Sequence, residues 1–247
     1  MRRSDAVRGA GDLPIDSRLD AILDALERHP RALLVAEPGA GKTTRVPLAL
    51  LEASWCRGSR LLLLEPRRVA ARLAAGFMAE QLGERVGETV GYRMRGESRV
   101  GSSTRLEVVT QGVLTRMLQE DPMLEGVAGV IFDEFHERSL EADLGLALTL
   151  DAQQGLREEL RLLVMSATLD VEALLGVLGE ATPVVDCPGR SFPVETRYRS
   201  LGGREDAAAQ QARALLEGLD QQAGDALVIL PGVAEIRRLA RELAGRA

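Results

Sequence analysis

Short apolar segments alternate in most of this chain with longer segments in which apolar residues recur every three or four positions. A run of about four to eight apolar residues predicts a buried strand, and the longer period predicts an amphipathic helix. The predicted strands are Ala32–Ala36, Leu61–Leu64, Leu106–Val109, Val130–Phe132, Leu162–Met165 and Val184–Val185, with a further extended segment at Tyr92–Glu97. The predicted helices are Asp16–Arg28, Lys42–Glu52, Arg68–Leu82, Gly112–Gln119, Ser139–Gln154 and Val171–Leu178. Because these strands are apolar almost throughout, we expect an α/β fold in which helices cover both faces of a parallel sheet.

The pattern changes near residue 187, where Pro188-Gly189-Arg190 is typical of a turn. Beyond it the sequence predicts strands at Phe192–Arg199 and Ala226–Leu230, and helices at Asp206–Leu219 and Ala234–Leu243. A parallel sheet of two strands cannot bury both of its faces, so we expect this second domain to be truncated. The expected organisation is a loose leader over 1–14, a first domain over 15–187 and the start of a second domain over 188–247.

A glycine-rich segment, Ala36-Glu37-Pro38-Gly39-Ala40-Gly41-Lys42-Thr43-Thr44, lies between the first predicted strand and the helix after it. It departs from the usual phosphate-loop pattern only in Ala36, which stands where the first glycine is expected. Such a loop directs backbone N–H groups and the positive end of a helix dipole at phosphate oxygens. Lys42, the only lysine of the chain, is then expected to reach the β- and γ-phosphates, and the Thr43 hydroxyl to bind Mg²⁺. The predicted nucleotide-binding residues are Gly39, Ala40, Gly41, Lys42, Thr43 and Thr44.

An acidic box, Asp133-Glu134-Phe135-His136, follows the apolar strand Gly129–Phe132, which we expect to lie beside the strand of the phosphate loop. Asp133 is predicted to bind Mg²⁺, and Glu134 to orient and deprotonate the attacking water. His136 is predicted to couple the nucleotide site to the neighbouring domain. The predicted catalytic set is Lys42, Asp133, Glu134 and His136, and the predicted metal ligands are Thr43 and Asp133.

Composition narrows the class of protein further. A net charge of −6 argues against a basic coat over the whole surface, but a local basic groove remains compatible with it. Cys56 and Cys187 lie far apart without metal-ligand spacing, so we expect reduced thiols. No apolar run reaches the length of about 18 residues that a membrane-spanning helix needs. These features predict a soluble, cytoplasmic protein.

Five segments together resemble the DEAH/RHA group of superfamily 2 helicases, and within it the bacterial HrpB-type ATP-dependent helicases. Phe135 stands where the name-giving box has alanine, a substitution that the bacterial subgroup shares. The resemblance covers residues 15–245. The segments are Pro38–Thr44, Glu65–Arg72, Thr110–Leu114, Asp133–Ser139 and Ser166–Thr168.

The resemblance implies a P-loop NTPase of RecA-like fold, with a second RecA-like domain that closes on ATP and single-stranded RNA or DNA bound across both domains. It assigns Arg67 and Arg68 to the strand, and Thr110, Gln111 and Gly112 to its phosphates. Gln111 replaces the glutamate that is common in the group, and we expect little loss of phosphate contact. Ser166 and Thr168 correspond to the motif that links hydrolysis to unwinding.

The arginine-bearing segment that would reach the γ-phosphate is not found before Ala247, although Leu227–Glu235 resembles the first strand of the second domain. We therefore expect this chain to bind nucleotide but hydrolyse it slowly, with the rest of the second domain and further C-terminal domains in the full-length protein. One alternative is a nucleotide-gated switch without efficient hydrolysis. Another is a different P-loop ATPase, which Arg67-Arg68 and Ser166-Ala167-Thr168 make less favourable. Preference for RNA or DNA, nucleotide base specificity, partners and oligomeric state stay open.

Overall fold

The computed structural model describes residues 13–167, 171–189, 193–199, 206–221 and 224–245. The chain divides into two compact units, Met1–Ser191 and Phe192–Ala247. The predicted leader falls almost wholly outside the described residues. The strands are β1 (Arg31–Ala36), β2 (Arg60–Glu65), β3 (Val90–Met94), β4 (Glu97–Arg99), β5 (Leu106–Thr110), β6 (Val127–Phe132), β7 (Arg161–Ser166) and β8 (Val184–Cys187). The helices are α1 (Leu19–Arg28), α2 (Lys42–Leu50), α3 (Arg68–Gln81), α4 (Gln111–Glu120), α5 (Leu140–Gly155), α6 (Val171–Leu178), α7 (Ala207–Gln221) and α8 (Val233–Ala244).

The first unit is built on one sheet with the strand order β4-β3-β5-β2-β6-β7-β1-β8. All neighbouring strands are parallel except β3 and β4, which form an antiparallel pair where the sequence predicted one extended segment. The expectation that the acidic-box strand lies beside the phosphate-loop strand is wrong, because β7 lies between β6 and β1. The carboxyl ends of parallel strands still meet at one edge, and the side chains there are long enough to cross one strand.

Helices cover both faces of this sheet, as the apolar strands predicted. In β2, Leu61 and Leu63 belong to the core beneath α1, α2 and α3, whereas Leu62 and Leu64 belong to the core beneath α4, α5 and α6. Successive strand residues point to opposite faces, so four leucines in a row serve both cores. This is the physical reason why the strands lack polar alternation.

The predicted helix at Asp16–Arg28 is divided. Pro14–Arg18 forms a 3₁₀ turn and α1 begins at Leu19. Asp16 accepts a hydrogen bond from the backbone N–H of Leu13 at 3.0 Å, which holds the entry of the chain in a tight turn. Ile15 is fully buried. The turn thereby places residues 13–16 against the phosphate loop.

The second unit contains the two predicted helices but not the two predicted strands. Within the described residues 193–199 and 224–232 no strand is formed, and residue 192 lies outside the described part of the chain. A strand needs a neighbour for its N–H and C=O groups, and the described residues of this unit include no strand that could serve. Leu227 and Ile229 are accordingly 89% and 86% exposed. The assignment of residues 188–247 to a partial second RecA-like domain stays a prediction.

Two further predictions concern the cysteines and membrane-spanning helices. Cys56 and Cys187 are both free and buried, in line with reduced thiols. None of the helices in the described part of the chain combines the length and the apolar character needed to cross a bilayer.

Candidate nucleotide and nucleic-acid site

The phosphate loop connects β1 to α2 in a shape that requires glycine at two positions. Gly39 and Gly41 have φ angles of 79° and 92°, in the left-handed region that other residues rarely adopt. A Cβ atom on Gly41 would lie 2.6 Å from Leu13 Cδ1, so the 3₁₀ turn packs directly on the loop. The Ile15 N–H also donates to the Ala40 carbonyl at 3.1 Å. The 3₁₀ turn therefore supports the loop, and α2 begins directly after it at Lys42, so the helix N-terminus lies at the loop.

Two contacts join the phosphate loop to the acidic box. Lys42 is only 3% exposed, and its Nζ lies 2.9 Å from Glu134 Oε1. The Thr43 hydroxyl donates to Asp133 Oδ2 at 2.5 Å. All four side chains were singled out in the sequence, and the structure brings them together at the carboxyl edge although β7 separates their strands.

A third carboxyl group, that of Glu65 at the end of β2, was missed. Burial, and then the negative charges of Asp133 and Glu134, raises the pKa of Glu65 to about 8. Burial also raises the pKa of Asp133 to about 6, against the hydrogen bond from Thr43 and the charge of Lys42. The two side chains are hydrogen-bonded. Near neutral pH Glu65 is protonated and its carboxyl group donates this hydrogen bond to the Asp133 carboxylate. The available signal was an ionisable residue at the end of an apolar strand, the same signal that revealed Asp133.

The acidic box continues into a strained turn. Glu134 and Arg138, at its two ends, have φ angles of 48° and 43°, which for residues with a Cβ costs roughly 1–2 kcal/mol each. Phe135 is buried and packs edge-to-face on Phe132, with ring centroids 6.0 Å apart. This aromatic anchor gives the position occupied by alanine in the name-giving box a packing role here.

His136 connects the turn to the end of β7. Its Nδ1 accepts a hydrogen bond from the Ala167 backbone N–H at 3.3 Å and lies 3.4 Å from Glu134 Oε2. Ser166, beside Ala167, is fully buried. Thr168, its predicted companion in coupling, lies outside the described residues. The contact of His136 is thus with the backbone of Ala167 in the same unit.

The residues assigned to nucleic acid occupy the carboxyl ends of β2 and β5, which are adjacent strands. Arg67 precedes α3 and is exposed, with Nη2 2.8 Å from Glu137 Oε1. Arg68 lies 3.8 Å from Glu97, which also pairs with Arg72 at 2.6 Å. Sequence reasoning identified the arginines but missed Glu137 and Glu97, because neither spacing nor residue type indicates which carboxylate a surface arginine meets.

Thr110, Gln111 and Gly112 form the junction of β5 and α4, next to Arg67. Gln111 accepts a hydrogen bond from the Ser139 hydroxyl at 3.1 Å. Gly112 is exposed, and no atom lies within 4 Å of the position of an added Cβ. A polymer backbone could therefore approach the N-terminus of α4 closely at this point.

This combination of fold and site has a match among known protein families. Residues 17–175 match the sequence profile of the DEAD/DEAH box helicase family, and both the phosphate loop and the acidic box fall within that range. The match covers more than half of the 247 residues. The chain belongs to the DEAD/DEAH box helicase family.

Several helicases are similar over most of this chain. The ATP-dependent RNA helicase HrpB of Escherichia coli is 55% identical over 234 residues, which are 95% of this chain and 29% of that protein. The ATP-dependent RNA helicase DHX30 of Homo sapiens is 40% identical over 202 residues, 80% of this chain and 17% of that protein. A crystal structure of the Escherichia coli DEAH/RHA helicase HrpB superposes with a TM-score of 0.84 at 54% identity, covering 96% of this chain and 30% of that one. These likenesses confirm the resemblance and the RecA-like P-loop fold; the chain spans less than a third of the length of each relative.

Proposed function

We propose that this chain is the ATP-binding motor portion of a nucleic-acid helicase, in which ATP binding and hydrolysis drive movement along a single strand. The observation that carries the proposal is the contact between the phosphate loop and the acidic box, through Lys42–Glu134 and Thr43–Asp133. Arg67 lies at the same edge of the sheet. Since the similar proteins of Escherichia coli and Homo sapiens are named RNA helicases, RNA is the strand we propose first.

The donor set beside the phosphate loop suits Mg²⁺ shared with a nucleotide. Thr43 supplies a hydroxyl oxygen and Asp133 a carboxylate oxygen, which are hard ligands of the type that Mg²⁺ prefers. The described residues contain no group of three or more His, Cys, Asp or Glu side chains able to hold an ion by themselves. Mg²⁺ usually takes one or two protein ligands and completes its shell with phosphates and water. Thr43 and Asp133 would hold the Mg²⁺ ion, which would neutralise charge on the phosphates.

The side chains of this chain then have distinct roles. Lys42 Nζ exchanges its contact with Glu134 for a contact with the phosphates, which frees the Glu134 carboxylate to accept a proton from the attacking water. Glu65 donates to Asp133 and so holds that carboxylate in its orientation. His136 joins the turn that carries Glu134 to the backbone of Ala167.

The strand is proposed to lie along the carboxyl ends of β2 and β5. Arg67 and Arg68 contribute charge, and the junction Thr110–Gly112 contributes backbone N–H groups at the start of α4. Contacts of this kind read the phosphate backbone and not the bases. We therefore expect binding that weakens steeply with salt and shows little base preference.

The lysine of the phosphate loop provides a specific NMR probe of nucleotide binding. Because Lys42 is the only lysine, isotope-labelled lysine gives a single backbone NMR signal from the phosphate loop. We expect Mg²⁺-ATP to shift that signal in the wild type and in Glu134→Gln. Hydrolysis, measured separately as phosphate release, should be lost in Glu134→Gln, because the amide cannot take the proton.

The dependence of phosphate release on a nucleic-acid strand distinguishes the proposed helicase from a nucleotide-gated switch. Addition of single-stranded RNA should increase phosphate release by the wild type, and DNA should be compared at the same salt concentration. A labelled signal that does not respond to Mg²⁺-ATP would refute the nucleotide site itself. Because we expect slow hydrolysis by this chain, the measured quantity is the ratio of phosphate release with and without a strand; a ratio of one in the presence of bound nucleotide would favour the switch.

A further inference from the structure

One turn lies between the two proposed ligand sites and contacts both. At one end, Glu134 Oε1 is 2.9 Å from Lys42 Nζ. Near the other end, Glu137 Oε1 is 2.8 Å from Arg67 Nη2. Ammonium and guanidinium groups in such positions bind phosphate oxygens as readily as carboxylate oxygens. The same turn therefore supplies a carboxylate partner to the cation proposed for ATP and to the cation proposed for the strand.

The turn consists of a single 3₁₀ segment, Phe135–Glu137, and the two ion pairs add to the contacts of Phe135 with Phe132 and of His136 with Ala167. Its ends, Glu134 and Arg138, both have left-handed φ angles, which are strained for residues with a Cβ. A cavity of about 190 Å³ borders it, lined among others by Arg67, Gln111 and Glu137. Strain supplies a tendency to move when a contact is removed, and the cavity supplies the space.

We propose that Glu137 is a positioning residue that occupies the place of a strand phosphate at Arg67 and thereby links strand binding to nucleotide binding. The inference rests on the proposed function, because it takes Arg67 as a strand contact. A strand phosphate bound to Arg67 displaces Glu137, and an ATP phosphate bound to Lys42 displaces Glu134. Each ligand removes one of the two ion pairs of a single turn, so the first ligand lowers the cost of displacement for the second. Strand and nucleotide binding are then positively coupled, each to the same extent by the other.

The solvent exposure of the Arg67–Glu137 ion pair limits how much its loss can change the affinity for a nucleic-acid strand. The side chains of Arg67 and Glu137 are 71% and 35% exposed, so their attraction is weakened by solvent. Pairs of this kind change an equilibrium by about fivefold at most. The Glu137→Gln variant keeps the shape of the side chain and removes its charge, so we expect it to bind a strand about two- to fivefold more tightly than the wild type.

The first experiment measures the affinity of the 247-residue chain for a short fluorescent single-stranded RNA by anisotropy, without nucleotide and at low salt. The matched control is Asp24→Asn, which removes the same charge from an exposed pair with Arg28 away from the strand edge. We expect tighter binding for Glu137→Gln, wild-type binding for the control, and no gain when Glu137→Gln is combined with Arg67→Ala. Equal affinities of Glu137→Gln and Asp24→Asn, or the same gain in the Arg67→Ala background, would overturn the proposal.

The second experiment tests the link by repeating the titrations with saturating Mg²⁺ and a non-hydrolysable ATP analogue. The wild-type strand affinity should rise with the analogue, and the ratio of the two affinities should move towards one in Glu137→Gln. Glu97→Gln is the comparison variant, because Glu97 also pairs with strand-edge arginines but lies on β4, away from the turn. It should keep the wild-type ratio. A ratio of one in the wild type, or an unchanged ratio in Glu137→Gln, contradicts the link. If the wild type binds no RNA at all, the proposed function fails and the inference falls with it.

Discussion

Replacement of Glu65 by glutamine should have an effect on stability that becomes more favourable as the pH rises, and should stabilise the protein near pH 8. The pKa of Glu65 lies near 8 in the folded protein against an ordinary value of 4.5. Between these values the unfolded chain loses a proton that the folded chain keeps, so folding of the wild type becomes less favourable as the pH rises through this window. Below the window both states are protonated and the penalty is absent.

The size of the effect follows from the width of that window. About 1.4 kcal/mol for each pH unit gives a ceiling of about 5 kcal/mol above pH 8. Glutamine can donate to Asp133 as the protonated carboxyl does, but its second N–H gains no evident partner, which costs about 1–3 kcal/mol. We therefore expect Glu65→Gln to raise the free energy of unfolding by about 2–4 kcal/mol near pH 8. Near pH 4.5, where only the cost of the unpartnered N–H remains, it should lower the free energy of unfolding by about 1–3 kcal/mol.

Urea unfolding at a series of pH values is the assay, with Glu107→Gln as the control. Glu107 is also a buried strand carboxylate, but it pairs with Arg60 at 2.7 Å and Arg93 at 3.2 Å. Its substitution removes the negative charge and leaves one of two partly buried guanidinium groups without its acceptor oxygen, which should lower the free energy of unfolding by about 1–3 kcal/mol. If the unfolding free energies of Glu65→Gln and wild type run parallel across the whole pH range, the reasoning about the buried carboxyl pair is wrong.

Three further predictions concern the loop, a helix cap and the metal ligand. Gly41→Ala should cost about 2–5 kcal/mol in urea unfolding, since it combines a left-handed backbone with the overlap on Leu13, whereas Gly39→Ala has free space and should cost only about 1–2 kcal/mol. Ser139→Ala removes the hydroxyl that accepts the first-turn N–H of α5 at 3.0 Å and should cost about 1 kcal/mol in the same assay; no loss would mean that water replaces the cap. Because the pKa of Asp133 is near 6, the Mg²⁺-dependent part of ATP affinity should be complete well above pH 6 and decline as the pH falls through it. An Asp133→Asn variant should lack that pH dependence, and a wild-type affinity that is flat across this range would contradict the assignment of Asp133 as a ligand.

Local patterns were enough to predict much of the first unit. Buried parallel strands have to be apolar on both faces, which is why runs such as Leu61–Leu64 are recognisable without knowledge of their neighbours. The phosphate loop is equally local, because Gly39, Gly41 and Lys42 act through backbone shape and one side chain. Pairing across the sheet is not local. The sequence does not show that β7 lies between the strands of the loop and the acidic box, nor that Glu65 contacts Asp133.

For the second unit, the apolar pattern predicted two strands that the described residues do not form. The segment Leu227–Leu230 is as apolar as the strands of the first unit, yet it forms no strand in the described residues. An apolar run indicates only that burial of the segment is favourable. The segment forms a strand when a neighbouring strand supplies hydrogen-bond partners for its backbone. Propensity alone therefore predicted these two strands, and the missing condition was a partner.

The acidic box illustrates why a functional site can depend on strained backbone. In a regular strand, successive side chains alternate between two faces, so five consecutive residues could reach only two environments. Here Asp133 and Glu134 contact the phosphate loop, and Phe135 enters the core. His136 contacts Ala167 just after β7, and Glu137 contacts Arg67 just after β2. The left-handed φ angle of Glu134 changes the direction of the chain within these five residues, and that of Arg138 changes it directly after them. The strain is thus a requirement of the arrangement, and substitutions that relax it should separate the contacts from one another even when each side chain is retained.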